Sequence, residues 1–308
     1  MLNVTLIGTA ATMPQMDRAT ASAAVGSGGR WVLIDCGEGT QTAARRAKIS
    51  LLKVDVIALT HYHGDHIFGL PGLMQTMGSM NRTSPLWITG PAGLEDALAP
   101  ILTLAGELPY PLVLRELPEE GICLRDVHPA WPALARLIPF LTEHRVISQG
   151  YRVQLNRPGR FMADKARALG VPREMWKQLQ TGERVLLDGR EIDPEQVTGV
   201  PRRGLSVVYS GDTAPCAALE EQANGADLLI CEATYPTDDY LDKAEEYGHS
   251  TFRQAGELAG RAGVRRLWLT HYSAMVSDPE TYLSEAAAGF PEAVCGRDGL
   301  TEMLLFDK

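Results

Sequence analysis

A chain of 308 residues with 45% hydrophobic and 22% charged residues has the make-up of a globular protein, with room for one large core or two fused halves. No apolar run approaches the roughly 18 residues that cross a bilayer, and the N-terminus lacks the length and charged flank of a signal peptide, so a cytoplasmic protein without membrane association is expected. The formal net charge of −9 gives no general sign of nucleic-acid binding, and five scattered cysteines without a CxxC pair argue against a disulfide framework or a cysteine-type zinc site.

Strands and helices are expected in mixed order, punctuated by Gly and Pro. Residues 2–7 predict a strand, 8–20 a loop, and 22–25 with 31–35 a hairpin around Gly26-Ser27-Gly28-Gly29. A helix over 40–48 precedes the apolar run 54–59, which reads as a buried strand and feeds into Thr60-His61-Tyr62-His63-Gly64-Asp65-His66. Residues 67–80 predict a helix whose Leu70, Leu73, Met74 and Met77 make a core-facing stripe. A short strand over 86–89 and a helix over 94–105, kinked or shortened by Pro100, come next. Strands are expected near 113–117 and 123–128. Residues 129–139 fit neither class, and 150–155 again read as a strand.

Residues 151–190 change character, with nine Lys and Arg against four Asp and Glu. They read either as a solvated surface excursion or as a protruding arm that touches phosphates. The second half then predicts strands over 205–209, 227–231, 266–270 and 302–306. Helices are expected over 251–262, capped by Ser250 or Thr251, and over 279–288. The halves share an order in which strand ends bear candidate ligands and helices follow. That order implies an α/β fold of two sheets packed face to face with helices outside.

The seven residues from Thr60 to His66 supply three imidazoles and a carboxylate. His61 and His63 alternate, so an extended backbone points both to one side, and Gly64 permits a turn that aims Asp65 and His66 at a second point. The pattern suits two neighbouring divalent ions. Ligands of this type favour zinc, then manganese or iron. Asp212 and His271 close apolar strands, where a scaffold presents functional groups, and a carboxylate such as Asp212 can bridge two metals. His144 lies in a polar turn shortly before a strand.

The long HxHGDHxxGLPGL run at 61–73 resembles that of the metallo-β-lactamase superfamily and, within it, the ribonuclease Z family, which removes the 3′ trailer of precursor tRNA. Further matching pieces are Leu6-Ile7-Gly8-Thr9, Leu33-Ile34-Asp35-Cys36-Gly37-Glu38-Gly39-Thr40-Gln41, Gly150-Tyr151-Arg152-Val153, Tyr209-Ser210-Gly211-Asp212-Thr213, Glu232-Ala233-Thr234, Gly248-His249-Ser250-Thr251 and Leu269-Thr270-His271. The resemblance implies a four-layer αββα sandwich as one domain over 1–308, with an exosite arm inserted at about 156–203. It also implies two Zn²⁺ per subunit, with Mn²⁺ or Fe²⁺ as substitutes. His61, His63, His144 and Asp212 would hold one, and Asp65, His66, Asp212 and His271 the other. Asp65 would orient the attacking hydroxide, and His249, oriented by Glu232, would protonate the departing 3′-oxygen. The arm would grip the tRNA bound at a partner subunit, so a homodimer is implied.

The chain departs from the family pattern in places. A PxKxRN loop appears as Pro14-Gln15-Met16-Asp17-Arg18-Ala19, Cys231 replaces the histidine that opens the HEAT motif, and the arm lacks its Gly-Pro pair. The competing expectations are a dinuclear phosphodiesterase for a small or cyclic phosphodiester, and a non-catalytic RNA-binding member of the superfamily.

Overall fold

The computed structural model describes residues 1–307. The first sheet holds β1 (Leu2–Gly8), β2 (Ser22–Ser27), β3 (Arg30–Ile34), β4 (Val54–Ala58), β5 (Leu86–Thr89) and β6 (Leu112–Leu114), side by side in that order. The second sheet begins with β7 (Ile122–Cys123), β8 (Ala135–Leu141) and β9 (Gln149–Arg157). A small hairpin, β10 (Val185–Leu187) and β11 (Arg190–Ile192), interrupts the chain there. β12 (Arg202–Tyr209), β13 (Leu228–Glu232), β14 (Leu267–Thr270) and β15 (Ala293–Cys295) then complete the second sheet. The last strand, β16 (Thr301–Leu304), returns to pair antiparallel with β1.

The inner faces of the sheets share one core, with Leu6, Val25 and Val56 on one side and Val153, Val207, Ile230 and Trp268 on the other. Helices Thr40–Arg46, Leu70–Ser79 and Leu94–Ala105 cover the first sheet through Ala44, Met77 and Leu98. Helices Ala217–Ala223, Phe252–Ala262 and Leu283–Ala287 cover the second through Leu219, Leu258 and Ala286. Burial on both faces explains why β4, β13 and β14 are buried along their whole length, as parallel strands in such a sandwich must be. β3 to β6 run parallel in one sheet and β12 to β15 in the other. The segments leaving the carboxyl ends of β3, β4, β12, β13 and β14 meet at one rim, where open α/β sheets bind ligands.

Several elements differ from the sequence reading, among them the helix expected over 279–288, which is a 3-10 turn, Pro279–Tyr282, and a short helix, Leu283–Ala287. The helix expected over 67–80 is a turn, Gly64–Ile67, and a separate helix, Leu70–Ser79. The break falls at Gly69, where a Cβ would lie 2.2 Å from the Gly37 carbonyl oxygen. The strand expected over 123–128 is only Ile122–Cys123 followed by a helical turn, Leu124–Val127. The chain then dips to bury Trp131, whose indole N–H donates to Asp55 (2.8 Å), itself paired with Arg30. The unassigned stretch 129–139 ends inside β8, and Pro139 is tolerated there because β7 pairs only with Arg136 and Leu137.

The insert between β9 and β12 is itself folded. Helices Ala163–Ala168 and Arg173–Gln180, the β10–β11 hairpin and the turn Pro194–Val197 enclose a small core of Ala166, Val171, Leu179, Val185, Ile192 and Val197. It leaves the body where Arg157 pairs with Arg202, and it packs on the Leu124–Val127 turn through an Arg125–Glu183 ion pair (2.8 Å) and on Leu134 through Gly182. The other end of β9 meets the rim, since the Gln149 N–H donates to the Thr60 carbonyl (2.9 Å). The insert therefore stands at the opposite pole, about 25 Å away by the rise of a strand. Its charge also differs from that of the 151–190 window. The folded part, 161–197, has six Lys and Arg against seven Asp and Glu, because Glu191, Asp193 and Glu195 lie beyond the window and Arg152, Arg157 and Arg160 belong to β9 and the neck. Among the described residues no helix is long and apolar enough to cross a membrane.

Candidate metal centre

The rim gathers seven side chains that share one chemistry. One donor atom from each of His61, His63, His144 and Asp212 lies within 4.8 Å of the others, and the same holds for Asp65, His66 and His271. Asp212 links the two groups: its carboxylate is 3.7 Å from His61 Nε2, 3.3 Å from His66 Nε2 and 3.2 Å from His271 Nε2. His61 and His63 come together from the extended segment after β4, with His61 Nε2 2.9 Å from His63 Nδ1. Backbone strain concentrates here as well. Thr12, Asp35 and His271 have φ near +60°, a region that a non-glycine residue occupies only where its surroundings impose it.

Hydrogen bonds fix which nitrogen each ring presents. His144 Nδ1 faces the Gly248 carbonyl (2.8 Å) and His66 Nδ1 faces the Asp35 carboxylate (2.8 Å), so both must donate. The Thr60 hydroxyl donates to Asp35 (2.9 Å) and so accepts from His61 Nδ1 (3.0 Å). The Thr234 hydroxyl donates to Glu232 (2.7 Å) and so accepts from His271 Nδ1 (2.9 Å). Four rings thus turn an Nε2 lone pair inward. His66 Nε2 faces His271 Nε2 at 3.3 Å, and His144 Nε2 faces His63 Nδ1 at 3.4 Å. The facing Nε2 lone pairs of His66 and His271 repel unless positive charge lies between them, and outer-nitrogen anchoring of this kind is the usual support of metal-binding histidines. The electrostatics agree. Burial lowers the pKa of His61, His63 and His144 and so favours the neutral, ligating form; at His66, Asp212 and Asp35 outweigh burial and draw positive charge. The donor set fits a divalent cation.

His249 and Glu232 adjoin this cluster, and a ring nitrogen of His249 lies within 4.8 Å of donor atoms of Asp212 and His271. Glu232, at the end of β13, is fully buried and accepts from His249 Nδ1 (2.8 Å), from the N–H groups of Thr213, Thr234 and Ser250, and from the Thr234 hydroxyl. Burial alone would lower the pKa of His249, but the adjacent carboxylate overrides it and raises the value to about 9. The carboxylate thus favours the protonated ring. The His249 ring lines an open cleft of about 420 Å³ together with Asp65, His144 and Asp212.

Several positioning groups carried no assignment in the sequence reading. Asp35 accepts from the Thr60 N–H (2.8 Å) as well as from His66 and the Thr60 hydroxyl. The Thr12 N–H donates to Asp65 Oδ2 (2.7 Å). Arg18 anchors the loop that carries Thr12, donating to the carbonyls of Val276 (2.8 Å) and Ser277 (3.3 Å). A polar residue closing an apolar strand is a usable signal for Asp35. A backbone N–H such as that of Thr12 leaves no signal in residue identity.

A family model described as the β-lactamase superfamily domain matches residues 30–272. The chain is 41% identical over its full length to a protein named ribonuclease Z from Lachnoclostridium phytofermentans, covering 99% of it. It is 36% identical to the ribonuclease Z of Clostridioides difficile, with the full length of both covered. Among solved structures, the short form of human tRNase Z superposes with a TM-score of 0.69 at 25% identity, covering 99% of this chain and 100% of that one.

Proposed function

We propose, from the premise that this chain belongs to the ribonuclease Z family of the metallo-β-lactamase superfamily, that it uses two zinc ions to remove the 3′ trailer of precursor tRNA. The chain is a metal-dependent endoribonuclease, hence a phosphodiesterase. The observation that carries the fuller reading is a histidine hydrogen-bonded to a buried carboxylate, His249 to Glu232 (2.8 Å), beside an inward-facing donor cluster. A ribose 3′-oxygen is a poor leaving group and needs a proton, which is what His249 holds.

His61, His63, His144 and Asp212 would hold one cation, and Asp65, His66, His271 and Asp212 the other. When bound, such a pair lowers the pKa of water and neutralises the charge that develops on the transferred phosphoryl group. Asp65, fixed by the Thr12 N–H, orients the attacking water. His249 gives its Nε2 proton to the departing 3′-oxygen while Glu232 keeps the ring in place, a contribution of about 10²–10⁴-fold. The insert, together with a basic neck that includes Arg157 and Arg202, forms an arm at about 156–203 on the single domain 1–308. Standing at the pole opposite its own cleft, it reaches the tRNA only at the cleft of a second copy, in a homodimer that works in the cytoplasm.

The test incubates the zinc-loaded protein with a precursor tRNA carrying a trailer and, in parallel, with bis-p-nitrophenyl phosphate. Cleavage after the discriminator base, lost on chelation, is expected. Hydrolysis of the ester alone would sink the tRNA reading and leave the small-phosphodiester alternative, which the loss of a loop lysine to Met16 and the acidic balance of the folded insert favour. For the dimer, an Asp65→Ala full-length chain is mixed with an insert-deleted chain. Restored tRNA cleavage supports action in trans, and its absence in a proven mixed dimer overturns it.

A further inference from the structure

Beyond the donor cluster and His249, the cleft has one wall with no role in the reaction described above. Arg145 follows His144 and Tyr247 precedes Gly248-His249, and all of these except Gly248 line the cleft. The two loops are locked together. His144 donates to the Gly248 carbonyl (2.8 Å), Gly248 has φ of +68°, and a Cβ there would lie 2.9 Å from His144 Cα and 3.1 Å from the Arg145 nitrogen. Only glycine allows so close an approach. Arg145 and Tyr247 consequently move as one piece, and the guanidinium carbon sits 4.9 Å from the centroid of the Tyr247 ring. Tyr247 is 37% exposed, and Arg145 is the only Lys or Arg lining the cleft among the described residues. Phe68, 67% exposed, also lines the cleft, from the turn that holds Asp65, with its ring packed over Gly64.

We infer that the Arg145–Tyr247 pair is a stacking platform for the nucleobase immediately 5′ of the scissile phosphate. The assignment rests on the proposed tRNA cleavage. His249 protonates the departing 3′-oxygen, and that oxygen belongs to the 5′ nucleotide. Tyr247 stands two residues from His249 on the same wall, so the base attached to that sugar comes to the Tyr247 side. Asp65 and Phe68 lie on the side from which water enters. An aromatic ring backed by a guanidinium holds any base through its π-face, so the platform requires no particular base there. It also supplies the cation nearest the flanking phosphate. Tyr247 and Arg145 are positioning residues: they touch substrate away from the reacting bond.

Stacking of this kind contributes about 1–3 kcal/mol per base, or about 5- to 150-fold in kcat/KM. The experiment compares two precursor tRNAs, one intact and one abasic at the nucleotide 5′ of the cut, with wild type, Tyr247→Ala, Tyr247→Phe and Phe68→Ala. Removing the base should cost the wild type about 10-fold in kcat/KM. Tyr247→Ala should lose about as much on intact RNA but lose nothing more when the base is removed, and Tyr247→Phe should restore the dependence on the base. Phe68→Ala should keep that dependence. If Tyr247→Ala responds to base removal as the wild type does, or if Phe68→Ala alone becomes insensitive to it, the platform is misassigned. Absence of RNA cleavage by the wild type would instead overturn the proposed substrate, and the platform with it.

Discussion

At the rim, four histidines have their outer nitrogens tied to Asp35, Gly248 or a threonine relay, and the groups that hold them are themselves buried and saturated. About 25 Å away by strand rise, the folded insert places its charges on exposed side chains. Arg167 pairs with Asp164 (2.6 Å) and Arg184 with Asp193 (2.6 Å), while Lys165, Arg173, Lys177 and Arg190 make no salt bridge among the described residues. The two regions suit different physics. Hydrolysis, proposed for the rim, needs atoms held to a fraction of an ångström, and the side chains there are buried and over-determined. Gripping a polyanion, proposed for the insert, needs cations in solvent, where single contacts are weak, screened and replaceable.

The contrast breaks most visibly at Asp65. Asp65→Ala should lower hydrolysis of both tRNA and bis-p-nitrophenyl phosphate by about 10⁴-fold, as loss of a central catalytic group does. Near-normal rates on either substrate would show that the centre is not the reacting site. Glu232→Gln strikes first at the acid and, through the Thr234 hydroxyl, more weakly at His271. A neutral amide cannot hold His249 as an imidazolium, so tRNA cleavage should fall by about 10²-fold or more. Hydrolysis of the nitrophenyl ester, whose leaving group needs no proton, should fall far less. The pH profile gives the sign. The acid works only when protonated, and the pKa of His249 is raised to about 9. Wild-type cleavage should therefore decline as pH rises through about 9, and the decline should move to lower pH in Glu232→Gln. An unmoved limb would mean that His249 is not the acid.

Asp35→Asn sharpens the same side of the comparison. It leaves every proposed ligand in place but weakens the relay to His66 and Thr60, and it should reduce metal affinity or activity by about 10–100-fold. Zinc titration by calorimetry reads it directly, and unchanged affinity with unchanged rate would make Asp35 merely structural. Excising the insert tests the other side. Gly199 N donates to the Arg160 carbonyl (2.9 Å) and Phe161 bridges to Thr198, so removal of 161–198 leaves two adjacent ends that a short Gly-Ser link can join. The insert has its own core, so ester hydrolysis should persist, while KM for tRNA should rise about tenfold or more. Equal loss of both activities would show that the insert supports the fold instead of the substrate.

The parallel strands were legible because buried strands read as apolar runs, while β8 was not; of the clustered residues, four sit in one dense motif and Asp212 and His271 follow strand ends, whereas His144, in a turn, joined them only through the resemblance. The pieces that escaped are those in which backbone or distant chain decides. Gly69 breaks a helix only because Gly37 approaches it, and Asp65 is aimed by a backbone N–H from Thr12. Trp131 turns an expected strand into a helical turn by reaching Asp55 across the core. The insert misled for a different reason. Local charge was counted over 151–190, but folding assigned the neighbouring arginines to β9 and the later acids to the insert.

That redistribution makes the smallest prediction the most informative about the insert. If its grip is electrostatic, it must come from the few exposed cations that carry no partner, since the folded part has more acids than bases. Lys177 is exposed on the helix Arg173–Gln180. Lys177→Ala should leave ester hydrolysis and thermal stability unchanged, weaken tRNA binding about threefold, and reduce the slope of log affinity against log salt by about one. If the slope stays the same for Lys177→Ala, Arg173→Ala and Arg190→Ala alike, phosphate contacts on the insert are excluded. The arginine-rich neck, with Arg157 and Arg202, would then be left to meet the tRNA backbone.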